Sequence, residues 1–322
     1  MRFKVGIFFI ALVALAACGK DLESEEPNNN DVQDTILAGQ LPGKFSVSDS
    51  QQVAFSQGNL QYCAAQNLWR FAEHQYDMVG SPSQFETGRS DIFAYPGNVA
   101  GSDNAYISNT YAGWVDLFGW GTSGWNSGAN SYMPFSTSTS SADYYPGGSA
   151  SNNLTGTYAQ ADWGVFNPIS NGGNQPALWR TLTKDEWNYL VFERAGADSK
   201  IGTGNIEGIA GCILLPDDWT TPTGCSFSSG VANGLANFSR NAYTYAQWED
   251  MERAGAVFLP TAGVRDNGVI NGVGTHGRYR SSTAANEEKV HSFGFNGETL
   301  EVRTCSRSGG RSVRLVMAIH AQ

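Results

Sequence analysis

The side chains able to do chemistry are few and scattered. His74, His276, His291 and His320 share no ligand spacing. Cys63, Cys212, Cys225 and Cys305 form no C-x-x-C pair and no Cys/His cluster, so no metal site and no cofactor are expected. There is no G-x-S-x-G nucleophile elbow and no H-E-x-x-H helix. Asp217-Asp218 offers two adjacent carboxylates for acid–base work or Ca²⁺, but Pro216 before and Trp219 after read as a turn. A different chemistry is offered near the C-terminus by Arg278, Arg280, His291 and Arg303, on three neighbouring segments. Arginine presents a rigid fork of donors and a flat stacking surface, which suits recognition. The same four residues also fit an ordinary solvated edge. One further thiol, Cys18, stands at the end of an apolar run.

That run sets the compartment. Arg2 and Lys4 precede Val5–Ala17, and small residues lead into Cys18, the form of a secretory signal. At about 1.5 Å per residue the run covers roughly 20 Å, short of the ~30 Å hydrocarbon core. Leu15-Ala16-Ala17-Cys18 resembles the lipobox of bacterial lipoproteins. The resemblance implies that residues 1–17 are removed and that Cys18 carries the lipid, making the membrane a partner through that residue. After it come Asp21, Glu23, Glu25, Glu26 and Asn28–Asn30, a polar stretch without large apolar side chains that reads as a flexible tether over 18–42. Acidic residues directly after the lipid cysteine resemble the surface-export signal of Bacteroidetes lipoproteins. They imply an outer-membrane protein facing the cell exterior; a solvated spacer facing the periplasm is the other reading.

Composition narrows the partners. The chain carries 20 basic and 30 acidic side chains, a net charge of −10. Loss of Arg2 and Lys4 with the signal leaves 18 against 30, or −12. Such a surface argues against nucleic acid and against anionic lipid as ligands. With 38 glycines and 12% aromatic residues, the remaining span 43–322 reads as one domain rich in turns and flat side chains. The four cysteines after the anchor allow several pairings, of which Cys212–Cys225 is the only local one.

Two helices stand out. Thr183-Lys184-Asp185-Glu186 has capping-box spacing, Trp187, Leu190 and Val191 follow on one face, and Gly196 is a stop. Thr244 and Gln247 repeat the box, with Trp248 and Met251 as the apolar stripe and Gly255 as the end. Strands are expected at 45–49, 52–56, 59–63, 68–73, 213–216, 257–260, 277–282, 289–295 and 311–317. In 289–295, Phe293 and Phe295 alternate onto a core face. Two helices among many short strands make an α+β fold. Residues 106–166 form a long Gly/Ser/Asn-rich region in which Trp114, Trp120, Trp125 and Trp163 are read as staples to the core.

At the first helix the residues resemble a known family. Leu178-Trp179-Arg180-Thr181-Leu182-Thr183-Lys184-Asp185-Glu186-Trp187 is similar to the helix start of formylglycine-generating-enzyme-like domains, and Gly310-Arg311-Ser312-Val313-Arg314-Leu315-Val316 to their closing strand. Phe55–Tyr62, Leu117–Thr122, Ile169–Gly173 and Leu214–Trp219 resemble, in the same order, landmarks of Bacteroidetes lipoproteins with a C-type-lectin-like domain. Related domains occur in variable proteins of diversity-generating retroelements and in the Fibrobacter succinogenes major paralogous domain.

The resemblance implies a C-type-lectin-like fold: two helices around a small twisted antiparallel sheet, with long loops, close termini and a ligand face on the last strands. It also departs from the enzymes. Cys305 is the only cysteine after Cys225, so their late cysteine pair is missing; of the lectin calcium signatures, Trp-Asn-Asp does not occur and Glu-Pro-Asn occurs only at Glu26–Asn28, in the stretch read as tether and outside the domain. Arg280 stands where relatives usually carry tryptophan. The expected function is non-catalytic binding of an extracellular glycan or protein at the C-terminal face, which such relatives can diversify. An enzyme on the same fold with an unrecognised site is the alternative.

Overall fold

The computed structural model describes residues 36–79, 103–105 and 107–319. Cys18, the signal and the acidic stretch to residue 35 lie outside the described residues. A compact unit begins at Ile36. It takes in part of the stretch read as tether, because Leu41 is buried and its N–H donates to the Phe55 carbonyl at 2.9 Å.

The first strands are β1 (Phe45–Ser46), β2 (Gln52–Phe55), β3 (Leu60–Cys63) and β4 (Leu68–Phe71). Then come α1 (Trp163–Phe166), β5 (Arg180–Thr181), α2 (Lys184–Asn188), β6 (Ile201–Ile206), β7 (Ile209–Leu214), β8 (Ala242–Tyr243) and α3 (Tyr245–Arg253). The chain closes with β9 (Val257–Pro260), β10 (Val264–Asp266), β11 (Val269–Asn271), β12 (Gly277–Ala284), β13 (Lys289–Phe295), β14 (Leu300–Ser306) and β15 (Leu315–Ile319). The sheets are small, ordered β1-β2-β15-β5, β8-β6-β7-β9 and β12-β13-β14, with hairpins β3-β4 and β10-β11. Among the described residues the strand pairings are antiparallel except β6 with β8, which is parallel. The fold is α+β. Because β2 pairs with β15, Val53 opposite Ala318, the second and last strands lie side by side.

Three differences from the sequence expectations have physical reasons. β6 was not expected, since Gly202 and Gly204 are poor strand formers. Close packing requires them: a Cβ on Gly204 would come within 2.8 Å of Asn241. β14 carries Glu301, Arg303 and Thr304 and lacks a clear apolar rhythm, as an edge strand of its sheet can. The closing strand begins later than 311, since Arg311 and Ser312 instead bridge singly to Phe118 and Tyr279.

The motif at 178–187 is built for packing. Trp179 is buried and donates its indole N–H to the Gly172 carbonyl at 2.7 Å. Arg180 clamps both oxygens of Glu186, at 2.7 and 2.5 Å. The same carboxylate accepts from the Thr183 N–H while Thr183 Oγ1 accepts from the Glu186 N–H, a complete capping box. Trp187 then stacks on Phe293, centroids 5.1 Å apart. The helix continues as a π-turn over Tyr189–Glu193. Thr183→Ala should therefore cost about 1 kcal/mol, read as a lower denaturant midpoint with an unchanged slope. A midpoint equal to wild type would show that Arg180 and Glu186 fix the turn without the hydroxyl.

The tryptophans of the long region pin it to the rest. Trp120 and Trp163 are fully buried, and Trp120 donates to the Ser281 carbonyl at 2.9 Å. The Arg70 guanidinium lies 3.7 Å over the Trp114 ring, and Trp125 packs beside Tyr158.

Candidate functional site

Strands β12, β13 and β14 position the four residues singled out near the C-terminus. Arg278 is opposite Gly294 and Gly294 opposite Glu301; Arg280 is opposite Ser292 and Ser292 opposite Arg303. Side chains alternate between faces along a strand, so Arg278, Arg280 and Arg303 share one face. Tyr279, Phe293, Phe295 and Val302 fill the other, packed on Trp187.

His291 does not join the arginines. It has the parity of Phe293 and Phe295, so it belongs to the opposite face, near the start of α2. Burial lowers its imidazole pKa and the Lys184 ammonium adds to that. The expectation that all four residues gather on one exposed face is corrected on this point.

It is corrected again at Arg280, which is 0% exposed. Its guanidinium donates to the carbonyls of Phe118 (3.3 and 3.1 Å), Ser306 (2.9 Å), Arg307 (3.2 Å) and Gly309, and reaches Cys305 Sγ at 3.3 Å. Burial drags its pKa down to about 10, still charged at neutral pH. Burial opposes ionisation of the Cys305 thiol, but Arg280 and Arg311 outweigh it and hold the thiol below its usual range. The arginine face is thus covered at one end by Phe118 and the Ser306–Gly309 turn, and open at the other.

At the open end, half-buried Arg278 and exposed Arg303 flank Gly294. A Cβ there would meet Arg278 Nη1 at 2.6 Å and Arg303 Cδ at 3.0 Å. Arg303 pairs with Glu301 at 2.8 Å and Arg278 donates to the Gly277 carbonyl at 3.2 Å. Burial, then the Arg303 charge, lowers Arg278 to about 10. Burial also lowers the nearby His276, with Arg278 and Arg303 adding to the effect.

Beyond the covered end, beside the β10–β11 hairpin, lies a depression of about 310 Å³. Arg265 and Arg311 line it, together with Asp266, Ser306, Ser308 and the loop 137–139. Sequence reasoning missed Arg265 and Asp266 and took Arg311 only as part of the closing strand. The available signal was Asn267-Gly268, whose positive φ angles of 50° and 75° make the tight turn between Asp266 and Val269.

Elsewhere the sequence candidates are structural. Asp217 accepts from Ser46 N and Oγ, Gln52 Nε2 and Arg194 Nη1, between 2.7 and 3.0 Å. Cys63, Cys212, Cys225 and Cys305 are all free thiols. Among the described residues no three His, Cys, Asp or Glu side chains converge as metal ligands, and no helix is long and apolar enough to cross a membrane. Two larger depressions, at Ala150–Ser151 with Ala285–Glu288 and beside Asn205 and Asn237, lack a basic side chain. Compared with known proteins, the chain matches no family, no curated sequence and no solved structure.

Proposed function

We propose that this chain is a lipid-anchored surface protein whose C-type-lectin-like domain binds an extracellular glycan or protein without catalysing a reaction. Cys18 is the attachment point, and the outer leaflet of the outer membrane is the location. The observation that carries the binding reading is the open end of the β12–β13–β14 face. Arg278 and Arg303 present guanidinium donors there beyond those used on Gly277 and Glu301. The opposite face is sealed by aromatic packing. Side-by-side β2 and β15 from opposite ends of the domain, two capped helices and long stapled loops agree with the lectin-like reading.

Full-length protein should capture a ligand from a glycan and protein array. Arg278→Ala with Arg303→Ala should then weaken capture at least about tenfold. Melting should change little at Arg303, because substitutions at exposed positions usually stay within about ±0.5 kcal/mol, and more at half-buried Arg278, so each single variant is melted beside the double one. Equal capture by the variant would remove this face as the binding surface.

A further inference from the structure

The depression beside the β10–β11 hairpin carries more than its neighbours explain. Arg265 and Arg311 are only 4% and 7% exposed. The Arg265 side chain makes one hydrogen bond among the described residues, a long one of 3.3 Å from Nη2 to the Leu117 carbonyl. Arg311 uses Nη1 alone, on Asp266 Oδ1 at 3.1 Å and the Gly310 carbonyl at 2.8 Å. The Nε of each is buried without a partner. A guanidinium carries more donors than these acceptors satisfy.

The charge is also unbalanced. Arg280 lies beneath, on the Gly309 carbonyl, and its acceptors are backbone carbonyls and a thiol. Of these three arginines, Arg311 alone has a carboxylate ion pair among the described residues, with Asp266. Buried cations without counter-ions are costly, and here they collect in a chain of net charge −10. A bound anion would offset that cost.

The lining says what else the ligand carries. About 310 Å³ is more than a bare oxyanion fills and lies at the small end of ligand sites. Its other side chains are the Asp266 carboxylate, already paired with Arg311, and neutral polar groups: Ser306 and Ser308, whose hydroxyls are 3.0 Å apart, and Thr137, Ser138, Thr139 and Asn267. Hydroxyls that both donate and accept match the hydroxyls of a sugar ring. Close approach to the floor depends on Gly309, where a Cβ would collide with Asp266 and Arg311.

We infer that this depression binds an acidic sugar, its oxyanion on Arg265 and Arg311 and its hydroxyls against the serine–threonine rim. The inference rests on reading the adjoining arginine face as a binding surface, and it names the ligand class. A carboxylate and a sulfate ester present the same oxyanion chemistry, so both are tested. Full-length protein in detergent is titrated calorimetrically with glucuronic acid, galactose 6-sulfate, glucose and inorganic sulfate. One or both acidic sugars should bind at least about tenfold more tightly than glucose and inorganic sulfate. Arg311→Gln should remove that preference. Thr139→Glu, on the exposed rim and harmless to folding, should weaken acidic-sugar binding by a similar factor through like-charge repulsion.

Equal binding of glucose and the acidic sugars overturns the inference. So does sulfate binding as tightly as the sugars, or an acidic-sugar affinity that Thr139→Glu leaves unchanged. If an array ligand is lost with Arg278→Ala and Arg303→Ala but kept by Thr139→Glu and Arg311→Gln, the depression is not its site. The binding face then stands without it.

Discussion

Arg280→Ala should lower the unfolding free energy by about 3–5 kcal/mol and the melting temperature by on the order of 10 °C. The guanidinium is fully buried and gathers the carbonyls of Phe118, Ser306, Arg307 and Gly309. Those carbonyls belong to two segments far apart in sequence, and the side chain joins both to β12. Alanine would leave a cavity and strand several buried acceptors. Arg280→Lys should recover little, because a point ammonium cannot span carbonyls on several sides as a planar fork does. Arg303→Ala, on the same face but exposed, should melt within a degree or two of wild type. Denaturant unfolding of the three variants decides the matter; an Arg280→Ala protein as stable as wild type would show that the carbonyl cluster contributes nothing.

This contrast marks where the sequence stops being legible. Residues 178–187 can be read almost atom by atom, because capping, the Arg180–Glu186 clamp and the Trp187 stripe are local or nearly so. Arg278 and Arg280 share a parity, which the sequence shows, but the cover over Arg280 comes from Phe118 and from the turn at 306–309. Nothing within β12 announces that one end of its face is roofed and the other open. His291 is a different case. Its parity with Phe293 and Phe295 already assigns it to the packed face, so alternation alone separates it from the arginines. Arg265 and Asp266 could be located through the Asn267-Gly268 turn. Their meeting with Arg311 could not, since it depends on a bridge between Arg265 and Gly310.

The second large effect is expected at Arg194 and Asp217. The Arg194 side chain is 1% exposed and pairs with Asp217 at 3.0 Å. Its remaining donors go to the carbonyls of Leu190 (2.8 Å) and Leu215 (2.9 Å). Asp217→Ala would leave a buried cation without its counter-ion and free Ser46 and Gln52 from their shared acceptor. A cost of about 3–5 kcal/mol follows. Arg194→Met combined with Asp217→Leu should recover most of the loss, since an apolar pair needs no desolvation of charge. Acid gives the same test without mutation. Burial alone would raise the Asp217 carboxyl, but the hydrogen bonds from Ser46 and Gln52 and the Arg194 charge outweigh it and hold its pKa below the usual range. A depressed folded pKa contributes stability that is complete above the unfolded value near 4 and drains as pH falls through the folded one. Wild-type protein should therefore lose stability below about pH 4 more steeply than the Arg194→Met, Asp217→Leu protein. Parallel pH profiles for the two would mean that Asp217 is not ionised against Arg194, and that the clamp on β1 and β2 is held by neutral hydrogen bonds.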